Sequence, residues 1–287
     1  MGIPYAEVIG DPIAHSKSPI IHKFWLEKLG LEGDYRRTRV KPAALGAYLR
    51  ERSADPDWRG CNVTMPLKQL AAERLPLLAG EAATIGAVNT IIPRHGRLEG
   101  HNTDGPGFIE PLDDALGPNT LRGKDAIIMG AGGAALAVSV MLNAAGAQLS
   151  IANRDRDRAR EVADRAVGLP SPQVRTPSLF QLKELLLGPP QTQPEHLALL
   201  VNATSLGMAG HPPLDVRLDR IPKSVVVYDL VYNPLETPLL WEARNEGLRT
   251  IDGLQMLVAQ ARKAFRLFFD MDAPRSHDAE LRELLTR

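Results

Sequence analysis

The segment Asp125-Ala126-Ile127-Ile128-Met129 runs straight into Gly130-Ala131-Gly132-Gly133-Ala134-Ala135, and that junction limits the folds open to the chain. A short apolar strand, a turn of small residues and an apolar helix to about Ala145 make the first crossover of a parallel α/β layer. The spacing Gly130-x-Gly132-x-x-Ala135 lets backbone N–H groups approach a pyrophosphate at the helix N-terminus, where the helix dipole favours negative charge. Gly130, Ala131, Gly132, Gly133 and Ala134 are therefore candidate cofactor-binding positions. The same spacing also serves as a tight packing turn, or holds the cofactor of a methyltransferase.

Downstream, Gln148 to Asn153 reads as the second strand and Asp155 to Ala166 as a charged helix. An Asp or Glu ending that strand would take the ribose 2′-hydroxyl of NAD. Asn153 stands there instead, followed by Arg154, Asp155, Arg156, Asp157 and Arg158. Arg154 and Arg158 can stack on an adenine and fork onto a 2′-phosphate, which favours NADP. Asp155 opposes it, because a carboxylate repels a phosphate, and keeps NAD or dual use open. Residues 168–195 are rich in Pro and Gln at both ends, with a helical patch over Ser178–Leu187 and a solvent loop over 188–195. Leu197 to Thr204 and Val225 to Leu230 are continuous apolar runs, as in strands buried on both faces of a parallel sheet.

The front of the chain alternates in the same way. Ala6 to Ile9 reads as a strand, and a turn-rich stretch leads to a helix from Pro19 or Ile20 to about Leu29, with Ser18 as its N-cap and Gly30 past its end. Tyr35–Val40 is a strand and Pro42–Arg52 a helix. Cys61–Thr64 is a strand that Pro66 stops, so Thr64 and Lys68 arrive at a strand end. Ile85–Ile92 is strand-like, and a turn follows at Arg94–Arg97. Gly105-Pro106-Gly107 marks a boundary before a connecting helix, Phe108–Leu116. Finally, Leu254, Leu257, Val258, Ala261, Phe265, Phe268 and Phe269 recur at helical spacing. With no strand after it, that helix is expected to cross back and cover the front domain. Two domains result: 1–105 completed by 253–287, and 106–252.

Composition removes whole classes of function. Lys and Arg number 34 against 34 Asp and Glu, so no net charge draws the chain to nucleic acid or an anionic surface. No apolar run approaches the ~20 residues of a membrane helix, and no secretory signal is expected. One cysteine, Cys61, excludes internal disulfides and multi-thiolate metal sites, and the seven histidines show no ligand spacing. The expectation is a cytoplasmic protein, monomer or homodimer, whose partners are small molecules and which holds no metal.

Ser16, Ser18, Thr64, Lys68, Asn89, Asn102 and Asp104 all fall at strand ends or in the turns after them, where open α/β sheets bind ligands. Lys68 and Asp104 can form a proton-transfer pair. Singly, each is also an ordinary cap or turn former. Together they indicate a two-domain oxidoreductase acting on a polar small molecule, without naming it.

In that order the motifs resemble those of the shikimate dehydrogenase family over nearly the whole chain. They are Gly10-Asp11-Pro12-Ile13-Ala14-His15-Ser16-Lys17-Ser18-Pro19, Asn62-Val63-Thr64-Met65-Pro66-Leu67-Lys68, Gly86-Ala87-Val88-Asn89-Thr90, Asn102-Thr103-Asp104-Gly105 and the glycine turn. Asn202-Ala203-Thr204-Ser205-Leu206-Gly207-Met208, Tyr228-Asp229-Leu230-Val231-Tyr232-Asn233-Pro234 and 252–261 complete the set. The resemblance implies an α/β substrate domain with a mainly parallel sheet, a Rossmann-type domain, and reversible NADPH-dependent reduction of 3-dehydroshikimate to shikimate in aromatic amino-acid biosynthesis. It implies Lys68 and Asp104 as the catalytic pair and Ser16 and Ser18 on the substrate carboxylate. Thr64, Asn89, Asp104 and Gln260 would hold its hydroxyls, and Thr204, Ser205, Met208 and Gly253 would line the nicotinamide side. Asp155 replaces the small hydroxyl residue usual after Asn-Arg. An NAD-preferring quinate/shikimate dehydrogenase of quinate catabolism is the alternative, and a non-catalytic small-molecule sensor the alternative of another class.

Overall fold

The structure, a computed structural model, describes residues 2–167, 174–177 and 196–287. They divide into two compact units, Met1–Pro106 with Val258–Arg287, and Gly107–Leu257. No helix among the described residues is long and apolar enough to cross a membrane.

In the first unit, β1 (Tyr5–Gly10) lies parallel between β2 (Asp34–Arg39) and β3 (Trp58–Val63). β5 (Thr90–Arg94) and β6 (Arg97–His101) add an antiparallel hairpin, and the two-residue β4 (Leu77–Leu78) closes the order β2-β1-β3-β5-β6-β4. Alternation along β1 splits its side chains between two cores. Tyr5 and Ile9 pack with Leu45, Tyr48 and Leu49 of α2 (Leu45–Ser53), while Ala6 and Val8 pack with Ala264 and Phe268. Those last two belong to α9 (Gly253–Phe269), whose residues from Val258 on are part of this unit, so the helix does cross back. Glu7 is fully buried with Tyr5 and Ile9, where Arg52 Nε meets it at 2.8 Å and Thr38 donates to its second oxygen. A buried carboxylate needs such partners.

Local details depart from the sequence reading in three places. α1 (Ser18–Lys28) begins at Ser18 itself, with Lys17 in the N-cap position and no side-chain cap, so Ser18 is not a cap. Ile85–Asn89 is not strand: α4 (Ala82–Ile85) ends on Gly86 at φ +63°, and β5 starts only at Thr90. The left-handed glycine stops the helix where an apolar run read as extended chain. α5 (Asp104–Leu116) starts before Gly105-Pro106-Gly107 rather than after it, since a proline in the first turn has no N–H to lose.

The second unit holds a six-stranded parallel sheet in the order β12-β11-β10-β7-β8-β9. Its strands are β7 (Asp125–Met129), β8 (Gln148–Ala152), β9 (Val174–Arg175), β10 (Leu197–Asn202), β11 (Val226–Asp229) and β12 (Arg249–Ile251). α6 (Gly133–Ala144), α7 (Arg156–Val167) and α8 (Pro238–Asn245) connect them. Strand order reverses between β7 and β10, the switch point of a doubly wound, Rossmann-type sheet. The helix expected over Ser178–Leu187 and the loop over 188–195 lie outside the described residues. α10 (Asp278–Thr286) closes the chain.

Candidate active site

β3 is pinned to β1 through Val63, opposite Ile9, and Thr64 N–H extends the ladder to Ile9 O at 2.9 Å. The chain then turns, with Leu67 N–H bonded to Thr64 O and the Leu67 side chain fully buried. This anchors Lys68 as the first residue of α3 (Lys68–Arg74), and its own carbonyl accepts from Val88 N–H at 2.9 Å. On the other side of the site, β6 ends at His101 and Asn102 Oδ1 accepts the N–H groups of Asp104 (3.1 Å) and Gly105 (3.3 Å). Asn102 thus caps α5 and sets Asp104 at its first turn. Lys68 Nζ meets Asp104 Oδ2 at 2.6 Å, so the two expected partners are in contact.

Asp104 Oδ1 receives a second donor, Asn89 Nδ2, at 2.9 Å. Asn89 lies just before β5, where Thr90 faces Asn62 of β3 and His101 of β6. Thr103 and Gln260 join the group through a 3.4 Å contact between Thr103 Oγ1 and Gln260 Oε1. Ser16 and Ser18 follow β1, and Ser16 Oγ lies 3.2 Å from Ser18 Oγ and accepts Ser18 N–H at 3.3 Å. Because β1 and β3 are parallel neighbours, the loops carrying these serines, Thr64 and Lys68 leave the same edge of the sheet. A Cβ on Gly10 would stand 2.5 Å from Thr64 Cγ2, so the glycine gives that threonine its seat. Cys61 is fully buried, and burial pushes its thiol far above the ordinary range, which leaves it inert.

The glycine turn of the second unit has a different character. Gly130 sits at φ +117°, and a Cβ there would come within 2.7 Å of Ala203 O, at the end of the neighbouring strand β10. At Gly132 and Gly133 a Cβ would meet nothing within 4 Å, and Gly132 opens α6 without a side-chain cap. An uncapped helix N-terminus facing open space at the switch point fits a dinucleotide pyrophosphate. Ala131 and Ala134 belong to the same turn.

Beside it, Asn202 organises the Thr204–Met208 turn. Its Oδ1 accepts Thr204 N–H (3.0 Å) and Thr204 Oγ1–H (2.7 Å), and its Nδ2 donates to Leu206 O and to Asp229 Oδ1 (2.9 Å). Asp229 is fully buried; burial raises its carboxyl above the ordinary value, while bonds from Thr237, Val231 N–H and Asn202 pull it back. Ser205 and Met208 are on this turn, Met208 exposed. Gly253, at the start of α9, is backed so closely by the Leu230 and Val231 carbonyls that no side chain fits there.

Asp155 needs a correction. Its Oδ1 accepts the N–H groups of Asp157 (3.1 Å) and Arg158 (3.2 Å), so it is the N-cap of α7, and its Oδ2 lies 3.6 Å from Arg158 Nε. The charge that argued against a 2′-phosphate is committed to the helix end and to an arginine. Arg154 and Arg158 are exposed, and Asn153 Nδ2 donates to Asp155 O at 3.0 Å, fixing the turn that carries them. Asn62, Thr90, Thr103, Asn202 and Asp229 were not singled out as site residues from sequence. Their one signal is that they are polar in otherwise apolar strand ends. No group of acidic, His and Cys side chains among the described residues is arranged to hold a metal ion.

Known proteins resemble this arrangement closely. The family model described as the shikimate dehydrogenase substrate binding domain matches residues 8–91, and that described as the shikimate 5′-dehydrogenase C-terminal domain matches residues 253–279. A relative from Sphingopyxis alaskensis named shikimate dehydrogenase (NADP(+)) is 49% identical over 284 residues, covering 98% of this chain and 97% of the relative. One of the same name from Rhodospirillum rubrum is 45% identical over 277 residues, covering 96% and 94%. The crystal structure of shikimate 5-dehydrogenase from Thermus thermophilus in complex with NADP(H) and shikimate is 37% identical with a TM-score of 0.82, covering 98% of this chain and 99% of that one. Quinate dehydrogenase from Corynebacterium glutamicum in complex with NAD is 30% identical with a TM-score of 0.83, covering 98% and 99%.

Proposed function

The chain belongs to the shikimate dehydrogenase family, and from that premise we propose that it reduces 3-dehydroshikimate reversibly to shikimate with NADPH, a step of aromatic amino-acid biosynthesis. The first unit takes the substrate and the second the cofactor. NADPH, when bound, supplies the hydride. The residues of the first unit handle the proton: as the ketone becomes an alkoxide, negative charge grows on its oxygen. The Lys68 ammonium stabilises that charge or donates the proton. Asp104 holds the ammonium in place and accepts a hydrogen bond from the neighbouring hydroxyl of the substrate. Ser16 and Ser18 are assigned to the substrate carboxylate, and Thr64, Asn89 and Gln260 to its hydroxyls. Gly130–Ala134 are assigned to the pyrophosphate, Asn153, Arg154 and Arg158 to the adenosine 2′-phosphate, and Thr204, Ser205, Met208 and Gly253 to the nicotinamide side. The cytoplasm is the proposed location, consistent with a lone, fully buried thiol.

The observation that carries the reading is the 2.6 Å contact between Lys68 Nζ and Asp104 Oδ2, made by residues from separate turns. The test follows cofactor absorbance with shikimate and with quinate, each with NADP and with NAD. Shikimate with NADP is expected to be the fastest pair. Faster turnover of quinate with NAD would make this a catabolic quinate dehydrogenase, and no turnover in any arm would make it a sensor.

A further inference from the structure

An asparagine beside a catalytic carboxylate is useful only one way round, with its NH₂ and not its oxygen facing the charge. At Asn89 the choice is made by the fold. The backbone N–H of Thr103 lies 2.7 Å from Asn89 Oδ1, and a backbone N–H can only donate, so that atom must be the oxygen. The NH₂ then faces Asp104 Oδ1 and Thr103 Oγ1, each at 2.9 Å. A second donor to Asn89 Oδ1 is the Thr90 hydroxyl, at 3.1 Å, with the Thr103 hydroxyl farther off at 3.3 Å. Thr90 is completely buried, and Asn62 Nδ2 donates to its hydroxyl at 2.9 Å, which turns the single hydroxyl hydrogen away from Asn62 and toward Asn89 Oδ1, a nearer acceptor at 3.1 Å than Thr103 Oγ1 at 3.5 Å. Asn62 is itself set by Tyr35, whose hydroxyl donates to Asn62 Oδ1 at 2.5 Å, and by the Asn89 carbonyl, which accepts from Nδ2 at 3.2 Å. The donors run in one direction, Asn62 to Thr90 to Asn89 to Asp104, and Lys68 meets the far carboxylate oxygen.

Resting on the dehydrogenase reading, we propose that Thr90 is a positioning residue of the reaction: it locks the Asn89 amide and thereby the plane of the Asp104 carboxylate against Lys68. It touches neither substrate nor cofactor. Its hydroxyl acts through two intervening side chains, and a displaced catalytic group is costly to the rate even where binding survives.

Thr90→Val keeps the shape of the side chain and removes the hydroxyl. Asn89 Oδ1 retains the Thr103 N–H, so the substrate-side hydrogen bonds persist while the amide loosens. The expected result for shikimate oxidation is a fall in kcat of about tenfold, with KM for shikimate within about threefold of wild type. Thr90→Ser is expected to restore kcat. Wild-type kcat in the valine protein would overturn the proposal. So would a parallel rise in KM, or a loss that serine does not recover, since both describe packing rather than orientation. If the valine protein does not fold, Thr90→Ala takes its place, and failure of both to fold assigns the hydroxyl to stability and overturns the proposal. An inactive wild type would instead bring down the dehydrogenase reading itself.

Discussion

Around Asp104 in the first unit, each carboxylate oxygen has its own donor, Asn89 on one and Lys68 on the other, and Asn89 is held in turn by Thr90 and Thr103. Around Gly132 and Gly133 in the second unit, a side chain would meet nothing within 4 Å, and the helix start has no cap. In the first unit, side chains answer one another before any ligand arrives. In the second, the turn has no side-chain cap and open space beside Gly132 and Gly133. The contrast follows from the work proposed for each. Moving a proton needs groups aimed in advance, so their hydrogen bonds must be made within the protein. Holding a pyrophosphate needs donors still free to give, so there the protein withholds its own acceptors.

The harshest test of the contrast is Lys68→Ala. If the first unit supplies a positioned acid, its loss is expected to lower kcat by ~10²–10⁴ with a smaller change in KM for shikimate. Steady-state kinetics decide, and an unchanged kcat removes Lys68 from the mechanism.

Next comes a pair of glycines only three residues apart. Gly130→Ala puts a Cβ 2.7 Å from Ala203 O at φ +117° and is expected to cost about 3 kcal/mol in denaturant unfolding. Gly133→Ala enters a helix in open space and is expected to leave stability equal or higher by up to ~1 kcal/mol. Yet it should raise KM for NADP several-fold, because a methyl group would occupy ground the pyrophosphate needs. A Gly133→Ala enzyme with wild-type KM would mean that the open backbone is not where the cofactor sits.

The first unit also contains an exception to its own rule. His22 is fully buried, stacks on Tyr35 with centroids 4.0 Å apart, and neither ring nitrogen has a hydrogen-bond partner among the described residues. Burial lowers its pKa from 6.5 to about 3. Between those values the unfolded chain binds a proton that the folded chain refuses, so stability falls as pH drops through that window, at about 1.4 kcal/mol per pH unit. From pH 6.5 to 5, the wild type is expected to lose roughly 2 kcal/mol more than His22→Leu. Loss of stacking shifts the whole leucine curve without changing its slope, and parallel curves would show that the imidazole is not buried neutral.

What could be foreseen in the sequence follows how local each cause is. The glycine turn was legible because the residues that make it are consecutive, and at Gly130, with φ +117° and Ala203 O close by, only glycine fits. Lys68 and Asp104 were legible as strand-end residues, since Pro66 and the Asn102 turn fix each one nearby. Thr90 was not, because its role depends on β5 pairing antiparallel with both β3 and β6, which brings positions 62, 90 and 103 together. Ile85–Asn89 misled for a related reason: an apolar run suits a strand or a buried connector equally, and the left-handed Gly86 decided between them.

The smallest expected effect concerns Asp155. Read in sequence, its charge weighs against NADP; in the structure, its carboxylate caps α7 and lies 3.6 Å from Arg158 Nε. Serine caps a helix about as well as aspartate, so Asp155→Ser separates the cap from the charge. Stability is expected to stay within about 0.5 kcal/mol of wild type, while Asp155→Ala loses about 1 kcal/mol. An exposed charge interaction is worth roughly 0.2–1 kcal/mol, so removing this one should lower KM for NADP by no more than about fivefold. KM for NAD should hardly move. A gain for NADP well beyond that would mean the carboxylate leaves the helix end to face the phosphate, so that this end of the second unit, unlike the open turn at Gly132 and Gly133, is tuned by its side-chain charges.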